Sequence, residues 1–139
     1  MQKVIIDTNV LVSALIQQSF PNFILNYCVF ENLVEVCISD ALFEEYLEVI
    51  NRPKFNRYPD FLKKAEFVLS QIESLATKYS PTERFEIIED MNDNRLLELA
   101  SESKADFIIT GNTNDFTMSN FKRTRVVSPK EYWENFRII

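Results

Sequence analysis

Four short β-favouring runs, 4–6, 34–38, 107–110 and 125–127, are separated by stretches whose apolar residues recur at helical intervals. This alternation constrains the fold more than any other feature. Strands joined through helices run parallel and are covered on both faces, so they read as unbroken apolar runs, as Val4-Ile5-Ile6 does. The expected class is α/β, a parallel sheet layered with helices. With 139 residues and 46% hydrophobic content, the chain can bury one sizeable core, and residues 1–139 are expected to form a single domain.

Between the strands, Phe61, Ala65, Val68, Ile72, Leu75 and Tyr79 fall three and four residues apart, while Lys63, Lys64, Glu66, Gln71, Ser74 and Lys78 face away. That spacing predicts one long amphipathic helix packed against its neighbours. Residues 20–30 are apolar almost all round, with Ser19 as a cap and Pro21 in the first turn, and predict a largely buried helix. The only glycine is Gly111, so glycine-rich phosphate-cradling loops are excluded.

A formal charge of −6 argues against a broad basic surface for nucleic acid. Histidine is absent, and Cys28 and Cys37 lie inside apolar segments, where they read as buried free thiols. Zinc chemistry through His and Cys and Ser-His-Asp catalysis are thereby excluded. No basic stretch, apolar core and cleavage site open the sequence, and no apolar run reaches the length of a membrane span. A cytoplasmic location with no membrane association is expected.

Chemistry must therefore come from carboxylates. Asp7 closes the first apolar run, where a strand gives way to a helix. Alone it reads as a helix N-cap. Asp115 follows the third run, and parallel strands would bring both to the same carboxyl edge, where α/β sites form. In the helix expected at 39–50, the stripe of Leu42, Phe43, Tyr46, Val49 and Ile50 leaves Glu44 and Glu48 outward. Glu45 stands at the border of that stripe, able to lean into a cleft. Asp93 shares a helical face with Leu97 and Ala100, so a charge begins a core stripe. A helix N-terminus contributes about 0.3–1 kcal/mol to such a charge, too little to offset its partial burial, so a cation is expected there. Asp90 reads as the cap of that helix. Asp7, Glu45, Asp93 and Asp115 gathered without histidine would repel one another unless a hard cation lay among them, and oxygen-only ligation selects Mg²⁺ or Mn²⁺. Such ions suit phosphodiester hydrolysis.

The segments 4–15, 39–50 running into Arg52-Pro53-Lys54-Phe55, 90–100 and 105–112, in that order, resemble the PIN-domain ribonucleases, and especially the branch assigned to toxins of toxin-antitoxin systems. The likeness covers nearly the whole chain. It implies a three-layer α/β/α domain with a central parallel sheet of four to five strands, and Mg²⁺- or Mn²⁺-dependent cleavage of single-stranded RNA. Asp7, Glu45, Asp93 and Asp115 match the family's acidic quartet. The resemblance also implies that Asn9 and Thr110 support Asp7 by hydrogen bonds and that Asn112 lines the site. Many relatives carry an acid where Asn112 stands, so one negative charge is missing; Thr110 to Phe116 matches instead the Thr-x-Asn-x-x-Asp-Phe form of other PIN ribonucleases.

Further expectations concern partners. The family likeness implies an antitoxin protein covering the acidic cleft, and homodimerisation; the negative charge suits a basic inhibitor. RNA is expected to ride on Arg52, Lys54, Arg57, Lys122, Arg123 and Arg125. A phosphotransfer domain of the haloacid dehalogenase type would need an acid where Asn9 stands, and a response-regulator receiver would need paired acids after the first strand. The competing reading is a non-catalytic module whose acidic cleft binds a basic partner protein without metal.

Overall fold

The computed structural model describes residues 1–116 and 118–138. The first apolar run forms β1 (Gln2–Ile6), with Val4 and Ile5 fully buried and Ile6 nearly so. Complete burial of consecutive residues means that both faces of the strand are covered, as the unbroken apolar run requires. The other long runs form β2 (Val34–Ile38), β4 (Phe107–Ile109) and β6 (Thr124–Val127), and these four strands pair in parallel with one another. Two shorter strands complete the sheet, β3 (Thr77–Lys78) and β5 (Asn120–Phe121).

Among the described residues the sheet therefore has six strands, in the order β3-β2-β1-β4-β6-β5, and β5 runs antiparallel to β6. The expected central parallel sheet is present, with six strands rather than four to five and one of them antiparallel. The two additional strands have two residues each, too short to show an alternating pattern. β1 lies at the centre: the chain builds outward to β2 and β3 on one side, then crosses to β4 on the other. The topological switch point falls between the carboxyl ends of β1 and β4, where open α/β sheets form a crevice. In register there, Ile6 pairs with Ile109, and the Asp7 N–H continues the ladder to the Ile109 carbonyl at 3.0 Å.

Helices cover both faces of this sheet, making the three-layer α/β/α arrangement. Several start at the carboxyl rim on side-chain caps. Helix α1 (Thr8–Ile16) opens on Asp7, α3 (Asp40–Ile50) on Ser39, and α5 (Met91–Ser103) on Asp90. Each cap accepts from backbone N–H groups that the first turn would leave unpaired. Helix α5 packs on β1, β2 and β4, and α3 packs on both α1 and α5.

Two helices differ from expectation. The segment predicted through Tyr79 ends at Leu75 as α4 (Phe61–Leu75), and the chain turns into β3. Tyr79 instead donates its N–H to Ile38 O at 2.8 Å and its hydroxyl to Glu35 at 2.7 Å. Tyr79 lies four residues beyond Leu75, so its spacing imitates one more helical turn. Residues 20–30 form a short α2 (Phe20–Phe23) that widens into a π-helical turn (Ile24–Val29), and Ser19 makes no side-chain cap bond. The segment is half-buried rather than largely buried: Ile24, Leu25, Cys28 and Val29 enter the core, while Phe23 and Tyr27 stay partly exposed. Both rings lean on Trp133, at 5.6 and 5.7 Å between centroids, in the closing segment that follows the short α6 (Pro129–Glu131). An apolar stripe on both sides was thus a core face plus a docking face for the C-terminal aromatics.

Candidate functional site

The crevice at the switch point is a cavity of about 520 Å³ that holds Asp7, Glu45, Asp90, Asp93, Asn9, Asn112 and Asp115 on its walls. The four acids picked from sequence thus share one space. They arrive from four different places: the end of β1, the middle of α3, the first turn of α5, and a short turn (Thr113–Asp115) after β4.

Asp7 is 7% exposed and held on both oxygens. Its Oδ1 accepts the Thr8 N–H at 2.7 Å, and its Oδ2 accepts the Thr110 hydroxyl at 2.7 Å and the Asn9 amide at 3.4 Å. The supports are themselves tied together. Asn9 Oδ1 accepts the Gly111 N–H at 3.1 Å, and Thr110 Oγ1 accepts the Asn112 N–H at 3.0 Å. A Cβ on Gly111 would stand 3.3 Å from Asn9 Oδ1, so the lack of a side chain serves this close approach. Because Thr110 both orients the carboxylate and anchors the following loop, Thr110→Val is expected to raise the Asp7 carboxyl further, and titration of that group followed by NMR would check this.

Glu45 sits beside the buried Tyr46, whose hydroxyl donates to Ile6 O at 2.5 Å. That bond joins α3 to the last residue of β1, so Glu45 and Asp7 each stand one residue from the same contact. Burial holds the Tyr46 phenol well above its ordinary value, which keeps it a donor. Asp93 is 9% exposed in the first turn of α5, behind its cap Asp90, whose Oδ1 accepts the Asn92 N–H at 2.8 Å and the Asp93 N–H at 3.4 Å.

Protonation reports the crowding. Burial pushes the Asp93 carboxyl up to about 7, and the charges of Asp7, Asp90, Asp115 and Glu45 add to the rise. Burial also raises Asp7; Thr110 and Thr8 draw it back, while Asp90 and Asp115 push it up. Glu45 is raised by burial and by Asp7 and Asp90, against the lowering effects of Thr8 and Arg52. Asp7 and Asp93 are buried, Glu45 is half-buried and Asp115 is exposed, and among the described residues none of the four makes an ion pair with a lysine or arginine that would offset their repulsion.

This donor set fits a hard cation. It is all oxygen, it repels itself, and the buried Thr8 Oγ1 facing Glu45 makes no hydrogen bond of ordinary geometry. The acids form an open arc: no three acidic or cysteine side chains among the described residues stand close enough to hold an ion between them. That is looser than the convergence expected from sequence. Mg²⁺ keeps several of its waters and needs only one or two carboxylates, so an open arc suits it better than a closed cage would.

Of the basic residues, Arg52 and Lys54 line the cavity. Arg52 is held in a fork by Glu48, at 3.2 and 2.9 Å, and Lys54 lies over the Phe55 ring. Lys122 and Arg123 are not brought to it. They occupy the turn between β5 and β6, and because β6 runs parallel to β4, that turn lies at the amino edge of the sheet. There Lys122 meets Glu83 and Ser101, Arg123 meets Asp106, and Arg125 lies over Phe136. Their proposed role on the substrate is corrected accordingly. Sequence reading also passed over Thr8, Ser13 and Asn92, which line the cavity; Thr8 alone carried a signal, as the neighbour of Asp7.

A sequence profile of the PIN domain matches residues 3–114. The chain is also 32% identical, over 143 aligned positions, to an uncharacterized protein of Methanocaldococcus jannaschii, with 96% of this chain and 91% of that protein covered.

Proposed function

This chain belongs to the PIN-domain family, whose members are in general nucleases using divalent metals, and we propose that it is a metal-dependent endoribonuclease hydrolysing single-stranded RNA. The observation that carries the reading is the sharing of one cavity by Asp7, Glu45, Asp93 and Asp115, none of them ion-paired with a lysine or arginine among the described residues.

In this reading Asp7, Glu45, Asp93 and Asp115 hold Mg²⁺ or Mn²⁺, and Asp90 keeps the first turn of α5 in place. When bound, the ion supplies Lewis acidity to the phosphodiester and makes water a competent nucleophile near neutral pH. The chain's own residues do the rest. Thr110, Asn9 and the Thr8 N–H fix the Asp7 carboxylate in one orientation. Arg52, its guanidinium already aimed by Glu48, and Lys54 take phosphates of the strand beside the scissile bond. Asn112 offers an amide on the same wall. The charge of −6 leaves little nonspecific attraction for RNA, which fits recognition of a short single-stranded stretch at the cleft. We assign the chain to the cytoplasm as the toxin of a type II toxin-antitoxin pair. Its partner in this reading is an antitoxin whose basic segment enters the acidic cleft, and the chain pairs with a second copy of itself.

Cleavage of single-stranded RNA should require added Mg²⁺ or Mn²⁺ and stop with EDTA. Arg52→Ala and Lys54→Ala are expected to raise KM about tenfold each, the scale of one lost charged contact at an exposed site. Lys122→Ala and Arg123→Ala should leave KM unchanged. Steady-state kinetics on one oligonucleotide distinguishes these outcomes, and an absence of metal-dependent cutting would favour a binding module for a basic protein.

A further inference from the structure

Part of the acid cluster, Asp90, Asp93 and Asp115, stands between two cavities. A second space of about 550 Å³ shares Asp90, Asp93 and Asp115 with the first, and its other walls are Ile87, Ile88, Glu89 and Asn114. The two are chemically unlike. The first carries Arg52, Lys54 and Phe55. The second has no lysine or arginine among its described lining residues and presents an apolar side chain, Ile87, that is 48% exposed.

The wall bearing Ile87 has no regular secondary structure, yet it is fixed by buried side chains of α5. Asn94, 0% exposed, accepts the N–H groups of Ile87 and Ile88 at 3.0 and 2.9 Å and donates to Ile88 O at 2.6 Å. One turn on, the buried Glu98 accepts the Phe85 N–H at 2.9 Å while paired with Arg95 and Arg84. A buried amide and a buried carboxylate thus hold an irregular segment rigid directly beside the acids. Rigid walls of this kind preorganise a binding surface.

We infer that this second cavity receives the nucleobase next to the scissile phosphodiester, and that Asn114 and Glu89 select a base carrying an exocyclic amino group over uracil. The inference rests on the ribonuclease reading above. Apart from an ion shared through Asp93 and Asp115, a phosphate would find no lysine or arginine among the described lining residues there, whereas a base offers an apolar face for Ile87 and an edge for polar groups. Carboxylates accept from amino groups such as cytosine N4, and an amide matches the paired donor and acceptor of adenine. Uracil turns a single N3–H toward the same wall, flanked by two carbonyl oxygens that the carboxylates repel. The strand then crosses the acid ridge with its phosphates on the Arg52 side and a base on the Ile87 side.

The test is cleavage, with Mn²⁺ present, of single-stranded oligoribonucleotides in which only the bases flanking the cut are varied among A, C, G and U. The parent should disfavour uracil by about tenfold in kcat/KM; Glu89→Gln should shrink that preference by about the same factor, whereas Ile87→Ala should weaken cleavage beside every base alike. Unchanged far-UV circular dichroism would show that both variants fold. As an independent readout, AMP and CMP should shift the amide resonances of residues 87–89 and 114 more than UMP does. RNA cleavage indifferent to the flanking base, or a Glu89→Gln variant that keeps the parent's preference, would overturn the inference and leave the nuclease reading standing. Absence of RNA cleavage by the parent would remove both.

Discussion

Asp7→Asn should reduce metal-dependent RNA cleavage by at least about 10³-fold, beyond the 10–100-fold typical of outer hydrogen-bond partners, while leaving the protein folded. The substitution keeps the side-chain oxygen that accepts the Thr8 N–H and caps α1. An asparagine caps a helix about as well as an aspartate. What it removes is the negative charge facing Asp90, Asp93 and Asp115 across the cavity. A large kinetic loss with an intact melting temperature would separate the ligand role of Asp7 from its structural one. Retention of full activity would sink the assignment of the site.

Asp93→Asn should do the opposite to stability: the metal-free variant is expected to melt higher than the parent at pH 8 while losing activity. In the folded protein burial and neighbouring acids lift Asp93 from its ordinary 3.8 to about 7. Between those values the folded state holds a proton that the unfolded chain has already released, so stability falls as pH rises through this window and levels off above it. Asp7 and Glu45 are raised as well and act with the same sign. The favourable placement of Asp93 at a helix N-terminus opposes the gain by about 0.3–1 kcal/mol. A net gain of about 1 kcal/mol, or about 2–8 °C in Tm, is expected from removing the charge. Added Mn²⁺ should raise the Tm of the parent at pH 8 more than that of the variant, because only a ligand of the native state stabilises it. Calorimetry at pH 5 and pH 8, with and without metal, reads all of this; a parent whose metal-free Tm is flat across that range would contradict it.

The parts of the fold that were legible in sequence were those with a periodic signal. Val4-Ile5-Ile6 reads as a doubly covered strand because nothing polar interrupts it, and Asp93 stands out because it heads the face completed by Leu97 and Ala100. Glu45 could be chosen over Glu44 and Glu48 from its position at the edge of a stripe, and α3 places it on the cavity wall. The limits were equally physical. Two-residue strands have no period, so β3 and β5 could not be seen. Without β5, the turn at Lys122 and Arg123 could not be placed at the amino edge, and charge alone does not say which rim a turn occupies. Asn94 left no trace either, because an amide in the first turns of a helix looks like any exposed polar residue until the segment it clamps is in place.

The phenol of Tyr46, bonded to the carbonyl of Ile6, works as a ruler. It sets how far one helix stands from the central strand, and so the span between Glu45 and Asp7 across the cavity. Tyrosine-to-phenylalanine drift at this one interior position would retune that span while every carboxylate stayed in place, a change that a comparison of acidic residues alone would never reveal.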